Sequence, residues 1–387
     1  MNLGYHVIDG TNIEVYYHPE EIAINVKDLM NYSDHIMYYL VEAPSSEGII
    51  TENEGEMVFY YGVNDETLYK SEELGAAFYL DKENNRAILM FVDNTVTNID
   101  VPGNIEVGGK SYKVTLGVGC FANRPIETFT LNEAITEIPQ YAFYNTDITE
   151  VELEHAVTIG DSAFRLCESL TRFVVSSTLE NMGWNVLYGS NNVVYLDIPF
   201  IGEKRAGEHQ TIAFLHGGYY SSGVLQSNGY LGNKLDTVII RETTQFAENS
   251  LKGLFVDELY LHGDIEYISG YAFNYYDTDK GISRIYISSS NIDSETLSNI
   301  VWRLKNTNTI ILYSGNYEGS YANEWIFGNY TEDTYPTIDQ ITYKIDGENA
   351  IAIHVETSLK GQEGFTLPET IEYKGTTYTV IENTYQS

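Results

Sequence analysis

This chain is short of the residues that usually carry chemistry or cross-links. Its 387 residues include two cysteines, eight prolines and only 21 lysines and arginines. Cys120 and Cys167 cannot form a disulfide framework, nor can they hold a metal alone. The shortage of basic residues has a wider consequence, because 56 acidic residues leave a formal charge of −35. Nucleic acid and anionic lipid are repelled by such a surface, so neither is expected as a partner. No window approaches the ~18 consecutive apolar residues of a membrane span, so direct membrane insertion is not expected. The opening MNLGYHVIDG has neither the basic nor the apolar region of a secretory signal, which points to a cytosolic protein or to one whose leader lies outside this sequence.

Catalytic signatures are missing too. There is no His-Glu-x-x-His and no Cys-x-x-Cys. GNIEVGGKS at 103–111 has one residue too many between its glycines for a phosphate loop, and Gly108-Gly109 reads better as a hairpin turn. GYYSSG at 218–223 misses the nucleophile-elbow spacing by one residue. His209 and His216, near Glu203 and Glu208, suit a glycine-rich loop better than a metal or acid–base cluster, and YDTDKG at 276–281 has only part of a calcium loop. The chain is therefore expected to use no cofactor, bind no metal and catalyse nothing.

What it does have is apolar residues, 43% of the chain, and 33 tyrosines against 15 phenylalanines. That suffices for a packed core, and tyrosine suits half-exposed sheet faces. The apolar residues recur on a period. Leu116-Gly-Val-Gly-Cys120-Phe121 returns as Ile138-Pro-Gln-Tyr-Ala142-Phe143, then as Ile159-Gly-Asp-Ser-Ala163-Phe164, and more loosely as Met182-Gly-Trp-Asn-Val186-Leu187. Between these phrases lie short period-two strands: Ile126, Phe129, Leu131; Ile148, Val151, Leu153; Leu170, Phe173, Val175; Val193, Leu196, Ile198. After an interruption the pattern resumes at Leu235, Val256, Ile282 and Ile310. A unit of about 21–24 residues buries its apolar side only by stacking on copies of itself, which makes a solenoid. Each Phe then fills the middle of a rung. Cys120 and Cys167, two rungs apart, should be free thiols, buried or half-buried.

IPQYAF and IGDSAF, each followed by a strand such as ITEVEL or LTRFVV, resemble the BspA-like leucine-rich repeats, a bacterial and protist surface-protein class. The resemblance runs over roughly 100–315 and includes the interruption IPFIGEKRAGEHQTIAFLHGGYY. It departs at Val186-Leu187, Ser250-Leu251 and Thr296-Leu297. It implies a curved right-handed solenoid with a sheet on one face, a cell-surface or extracellular location with any signal or anchor outside the chain, and a role in adhesion.

The expected architecture is mostly β, α+β in part: a leucine-rich-repeat solenoid of 21–24-residue rungs with a short β lead-in and a β-rich N-terminal module. Residues 1–85 read as an α/β or β-rich module or cap, with strands in NIEVYYHP and EMVFYYGV and helical spacing in VKDLMNYSDHIMYYL. Residues 86–335 form the solenoid, with an insertion at 200–234. Residues 336–387 read as a β-rich cap or the start of a second repeat block, because AILMFVDNTVTNIDVPGNIEVGGKSYKV at 87–114 is echoed by AIAIHVETSLKGQEGFTLPETIEYKGTTYTV at 350–380.

In the strands, residues between the inward ones point outward. They run Thr128 and Thr130; Glu150 and Glu152; Arg172 and Val174; Tyr195 and Asp197; Thr237 and Ile239; Glu258 and Tyr260; Arg284 and Tyr286; Thr309 and Ile311. The binding candidates among them are Glu150, Glu152, Arg172, Tyr195, Asp197, Glu258, Tyr260, Arg284 and Tyr286, since Tyr and Arg carry interface energy. The expected function is a non-catalytic module that contacts a host or neighbouring-cell protein through this face. A glycan-binding or glycan-processing protein, with its site in the N-terminal module or at 200–234, is the alternative.

Overall fold

The computed structural model describes residues 15–18, 37–41, 51–54, 57–61, 63, 66–205, 210–221, 224–227, 234–273, 281–290, 292–304, 309–360, 362 and 364–383. Among the described residues the fold is mostly β, with 6% helix, and is built of solenoid turns, about ten in all. It divides into two compact units, Met1–Val193 with Phe214–Gly217, and Val194–Ala213 with Gly218–Ser387.

In the first unit the strands Glu150–Leu153 and Arg172–Val175 pair in parallel, Val151 opposite Phe173 and Leu153 opposite Val175. Those four inward residues are buried. The opposite wall is a ladder of two-residue strands, Glu137–Ile138, Thr158–Ile159 and Asn181–Met182. Between the walls Phe121, Phe143 and Phe164 are fully buried. Their rings stack at 4.7 and 5.0 Å, tilted by 22° and 5°, which matches the spacing of neighbouring strands. The 21-residue period thus places one ring per rung in a continuous stack. Each turn is closed rung to rung, with Phe121 N donating to Ala142 O (2.9 Å) and Phe143 N to Ala163 O (2.7 Å).

The turns need unusual backbone. The residue before each Ala or Cys is left-handed, with φ of 65° at Gly119, 56° at Tyr141 and 53° at Ser162, as is the residue two after each Phe, at 56°, 53° and 60° for Asn123, Asn145 and Leu166. Gly160 is required by close approach, since a Cβ there would lie 2.3 Å from Gln140 N. The looser phrase at Val186-Leu187 keeps this geometry, with both residues buried. It stacks on the insertion: Asn185 N donates to Phe214 O and Leu187 N to Leu215 O. Part of the apparent interruption is therefore a rung turn. Both cysteines are free and buried, and Cys167 Sγ donates to Phe143 O at 3.0 Å.

Two features ahead of the rungs differ from expectation. The strands Val15–His18, Met37–Val41 and Met57–Tyr61 pair in parallel, with Val15 opposite Tyr38 and Tyr38 opposite Val58. Partners 20 to 23 residues apart repeat the rung spacing in a region with no rung phrase. The helical spacing of 26–40 gives way at its end to the Met37–Val41 strand, because β-favouring Tyr and Val find parallel partners on both sides; the stretch 26–36 lies outside the described residues. In addition, the lead-in sheet begins at Leu68 rather than at residue 86, because Ala76–Asp81 pairs with Arg86–Val92. Its strand order is Leu68–Ser71, Ala76–Asp81, Arg86–Val92, Lys110–Leu116, Asn104–Val107. Gly108 and Gly109, at φ 61° and 79°, make the hairpin turn.

The second unit carries parallel rung strands at Tyr195–Ile198, Leu235–Ile240, Val256–Leu261, Ile282–Ile287, Ile310–Tyr313 and Ile326–Phe327. In one rung the turn is an 11-residue helix, Ser294–Leu304, which buries Leu297, Ile300, Val301 and Leu304. Asp293 caps it, accepting from Thr296 N at 2.8 Å. The unit ends in a five-stranded sheet of order Thr337–Ile338, Ile341–Asp346, Asn349–Val355, Thr376–Glu382, Thr370–Tyr373. Its connectivity repeats the lead-in sheet strand for strand, and Ala350 opposite Val380 corresponds to Ala87 opposite Val114. The sequence echo is thus a duplicated five-stranded module, longer at its N-terminal side than the echo itself.

Candidate functional site

Alternation along each strand sends every second side chain outward, and in the first unit this outer face is open. Glu150 and Glu152 are exposed and Arg172 is half-buried, with Glu150 in register with Arg172. Adjacent opposite charges of this kind support the sheet. One strand earlier, Thr128 and Thr130 donate to Asn98 Oδ1 and Asp100 Oδ1, each at 2.5 Å.

The sheet is interrupted at this point. Thr128–Leu131 pairs with Asn98–Val101, and Glu150–Leu153 pairs with Arg172–Val175, but the two consecutive rung strands do not pair with each other. They remain joined on the far wall, where Ile138 lies opposite Ile159. A cleft of about 570 Å³ opens between them. Its floor is apolar, including Phe129, Leu131, Ile135 and Leu153, and its rim has Glu127, Glu133, Glu150, Glu152, Glu154 and His155 with no lysine or arginine. Phe129 and Leu131 are half-buried, whereas their counterparts Val151 and Leu153 are buried. Of the predicted residues, only Glu150 and Glu152 line this cleft, and nothing in the sequence pattern of TFTL and EVEL marks the missing ladder.

In the second unit the predicted face is largely consumed internally. Tyr195 and Asp197 are half-buried, and Asp197 is ion-paired to Arg241. Glu258 and Tyr260 are half-buried, while Arg284 and Tyr286 are each only 4% exposed. The last two therefore do not belong to an exposed face. They do point outward from the sheet, but the C-terminal module packs over them, with Tyr286, Ile310, Leu312 and Phe327 forming one apolar cluster with Tyr335 and Ile353. Tyr260 and Tyr286 stack at 4.2 Å and 4°. Thr309 and Ile311 are also buried rather than outward. Ile311 lies opposite inward Ile285, so Ile310 and Leu312 hold the outward column, a one-residue shift that exchanges the two faces.

Arg284 is the polar centre of this covered region. It donates to Glu258 at 2.8 Å and to Glu356, whose own side chain is 9% exposed. Ser283 Oγ lies 3.1 Å from both Asp257 and Glu356. Burial opposes the charge on Glu356, but His354 and Arg284 overcome it and hold the carboxyl at about 2. His354 is itself driven down, by burial first. Sequence reasoning missed Glu356 and His354, since the echo of the lead-in module carries no sign of what its sheet covers.

His216 is buried, and burial lowers it to about 4; His209, Glu208, Asp277 and Asp279 lie outside the described residues. Among the described residues no group of three or more His, Cys, Asp or Glu side chains could hold a metal, and no helix is long and apolar enough to cross a membrane.

Residues 90–204 match the family model for the BspA type leucine rich repeat region, in six copies. No curated protein matches the chain. Among solved structures it is similar to a leucine-rich cell surface protein of Faecalibacterium prausnitzii, with 16% identity over 74% of this chain and 60% of that one and a TM-score of 0.29. It is also similar to a leucine-rich repeat protein of Bacteroides ovatus (12% identity, 57% of this chain, 72% of that one, TM-score 0.26) and to the pneumococcal vaccine antigen PcpA (15%, 67%, 77%, 0.27). The chain spans 60% of the length of the F. prausnitzii protein. With the ring stack, the two-walled rungs and the six matched copies together, residues 90–204 belong to the BspA-type leucine-rich repeats.

Proposed function

We propose that the chain is a non-catalytic, cell-surface or extracellular binding module that contacts a partner protein through the open outer face of its first unit. The observation that carries this reading is the cleft between Thr128–Leu131 and Glu150–Leu153, which combines an accessible apolar floor with a charged rim. A fully desolvated centre inside a polar rim is the usual anatomy of a protein contact. The corresponding face of the second unit lacks this opening where the C-terminal module covers it.

The test is an array of purified extracellular proteins and glycans probed with the chain and with the E150K/E152K variant. Both positions are exposed, so the variant should still fold, at a small cost from a second cation opposite Arg172, and its melting temperature is measured alongside. Binding to one or more proteins that the variant loses is the expected result. Binding confined to glycans, or protein binding that E150K/E152K leaves unchanged, would overturn the reading.

A further inference from the structure

We infer that the cleft between Thr128–Leu131 and Glu150–Leu153 is a receptor for an extended peptide segment that alternates basic and apolar residues and adds a strand to the sheet. The inference rests on the protein-binding reading above and identifies the chemistry of its partner.

The first support is the backbone. On one side of the cleft, Thr171 N donates to Thr149 O and Ser176 N donates to Leu153 O. Backbone groups of alternate residues point to the same side of a strand. Residues 149, 151 and 153 therefore face the Arg172–Val175 strand, and the backbone N–H and C=O of Glu150 and Glu152 face the cleft. On the other side Asn132 N donates to Val101 O. By the same alternation Thr130 and Asn132 face the Asn98–Val101 strand, and the backbone groups of Phe129 and Leu131 face the cleft. Two strand edges that share no ladder with each other thus face one opening, and such edges capture extended peptides by main-chain pairing.

The second support is the lining. A strand placed there presents alternate side chains to opposite faces. One set meets the apolar floor of Phe129, Leu131, Ile135 and Leu153; the other meets the rim carboxylates Glu127, Glu133, Glu150, Glu152 and Glu154. The lining has five carboxylates and no lysine or arginine, so lysine or arginine is the complementary outward residue. At about 570 Å³ the space is within the range of peptide and ligand sites.

The probe is a blocked peptide, Lys-Val-Arg-Val-Lys-Val-Arg-Val, titrated into the full chain by calorimetry and followed by amide hydrogen exchange. Saturable binding is expected, with new protection at the amides of Phe129, Leu131, Glu150 and Glu152. N-methylation of alternate peptide residues should abolish it. The E150K/E152K variant should weaken it by about tenfold, within the range that two exposed pairs supply together. A reordered peptide with the valines grouped at one end should bind more weakly. Binding without protection of those four amides, or binding indifferent to N-methylation, would overturn strand addition, as would no binding at all. If the array then still shows protein binding lost in E150K/E152K, the protein-binding reading stands while this one falls; if the array is also negative, both fall.

Discussion

Replacing Arg284 with Met tests how the C-terminal module is held on the outer face of the second unit. Arg284 and Glu356 have side chains 5% and 9% exposed, and Glu258 is 25% exposed. Methionine retains the apolar stem beside Tyr286 but leaves Glu356 buried without its cation. Removing one partner of a buried pair costs about 3–5 kcal/mol. The partial hydration of Glu258 places this case near ~3 kcal/mol. Urea unfolding of R284M should show that loss, and hydrogen exchange should localise it to the Asn349–Val355 strand. The double variant R284M/E356Q removes both charges and should return to within about 1 kcal/mol of wild type, because an ion pair replaced by neutral groups is often no less stable. The pH dependence has a defined sign. Glu356 is depressed from its ordinary 4.5 to about 2, so its contribution is complete above about 4.5 and is lost as pH falls through about 2. In R284M this acid-side loss should shrink, and the part due to His354 should remain. A cost in R284M below about 1 kcal/mol, or a double variant as unstable as the two single losses added together, would refute the account.

Three further outcomes follow from the rungs. Phe143 is fully buried between Phe121 and Phe164, so Phe143→Ala should cost ~3–5 kcal/mol in chemical denaturation, and Phe143→Leu should recover most of it. Gly160→Ala would place a Cβ 2.3 Å from Gln140 N; a lowered melting temperature with exchange loosened at 138–142 is expected, whereas an unchanged melting temperature would show that the rungs can separate there. Burial pushes both thiols up, Cys167 to about 11, so a thiol reagent should label neither cysteine in the native chain and both after denaturation.

Legibility in the sequence followed the range of the physics. Ala142-Phe143 and Ala163-Phe164 repeat because every rung needs the same fill, so the period, the buried ring stack and the parallel strands could be read directly. The left-handed residues Tyr141 and Ser162 could not, since neither tyrosine nor serine favours positive φ. The parallel strands from Val15 to Tyr61 carry no rung phrase, because strand pairing uses backbone groups common to all residues. The Ser294–Leu304 helix had one local sign, the Asp293 cap, but its leucine also fitted the rung pattern.

The candidate face separates the two kinds of information most clearly. Alternation along each strand, a local property of the backbone, set which residues leave the core: Glu150, Glu152, Arg172, Tyr260, Arg284 and Tyr286 all point outward. Whether an outward residue meets solvent depends on chain far away in sequence. Glu356, 72 residues beyond Arg284, turns two of those positions into a buried anchor, and a ladder that does not form beside Glu150 and Glu152 opens the cleft. Period and pattern determined the rung; what covers a rung, and where neighbouring rungs part, was decided only by the tertiary structure, because burial and pairing are properties of segments brought together rather than of any one segment.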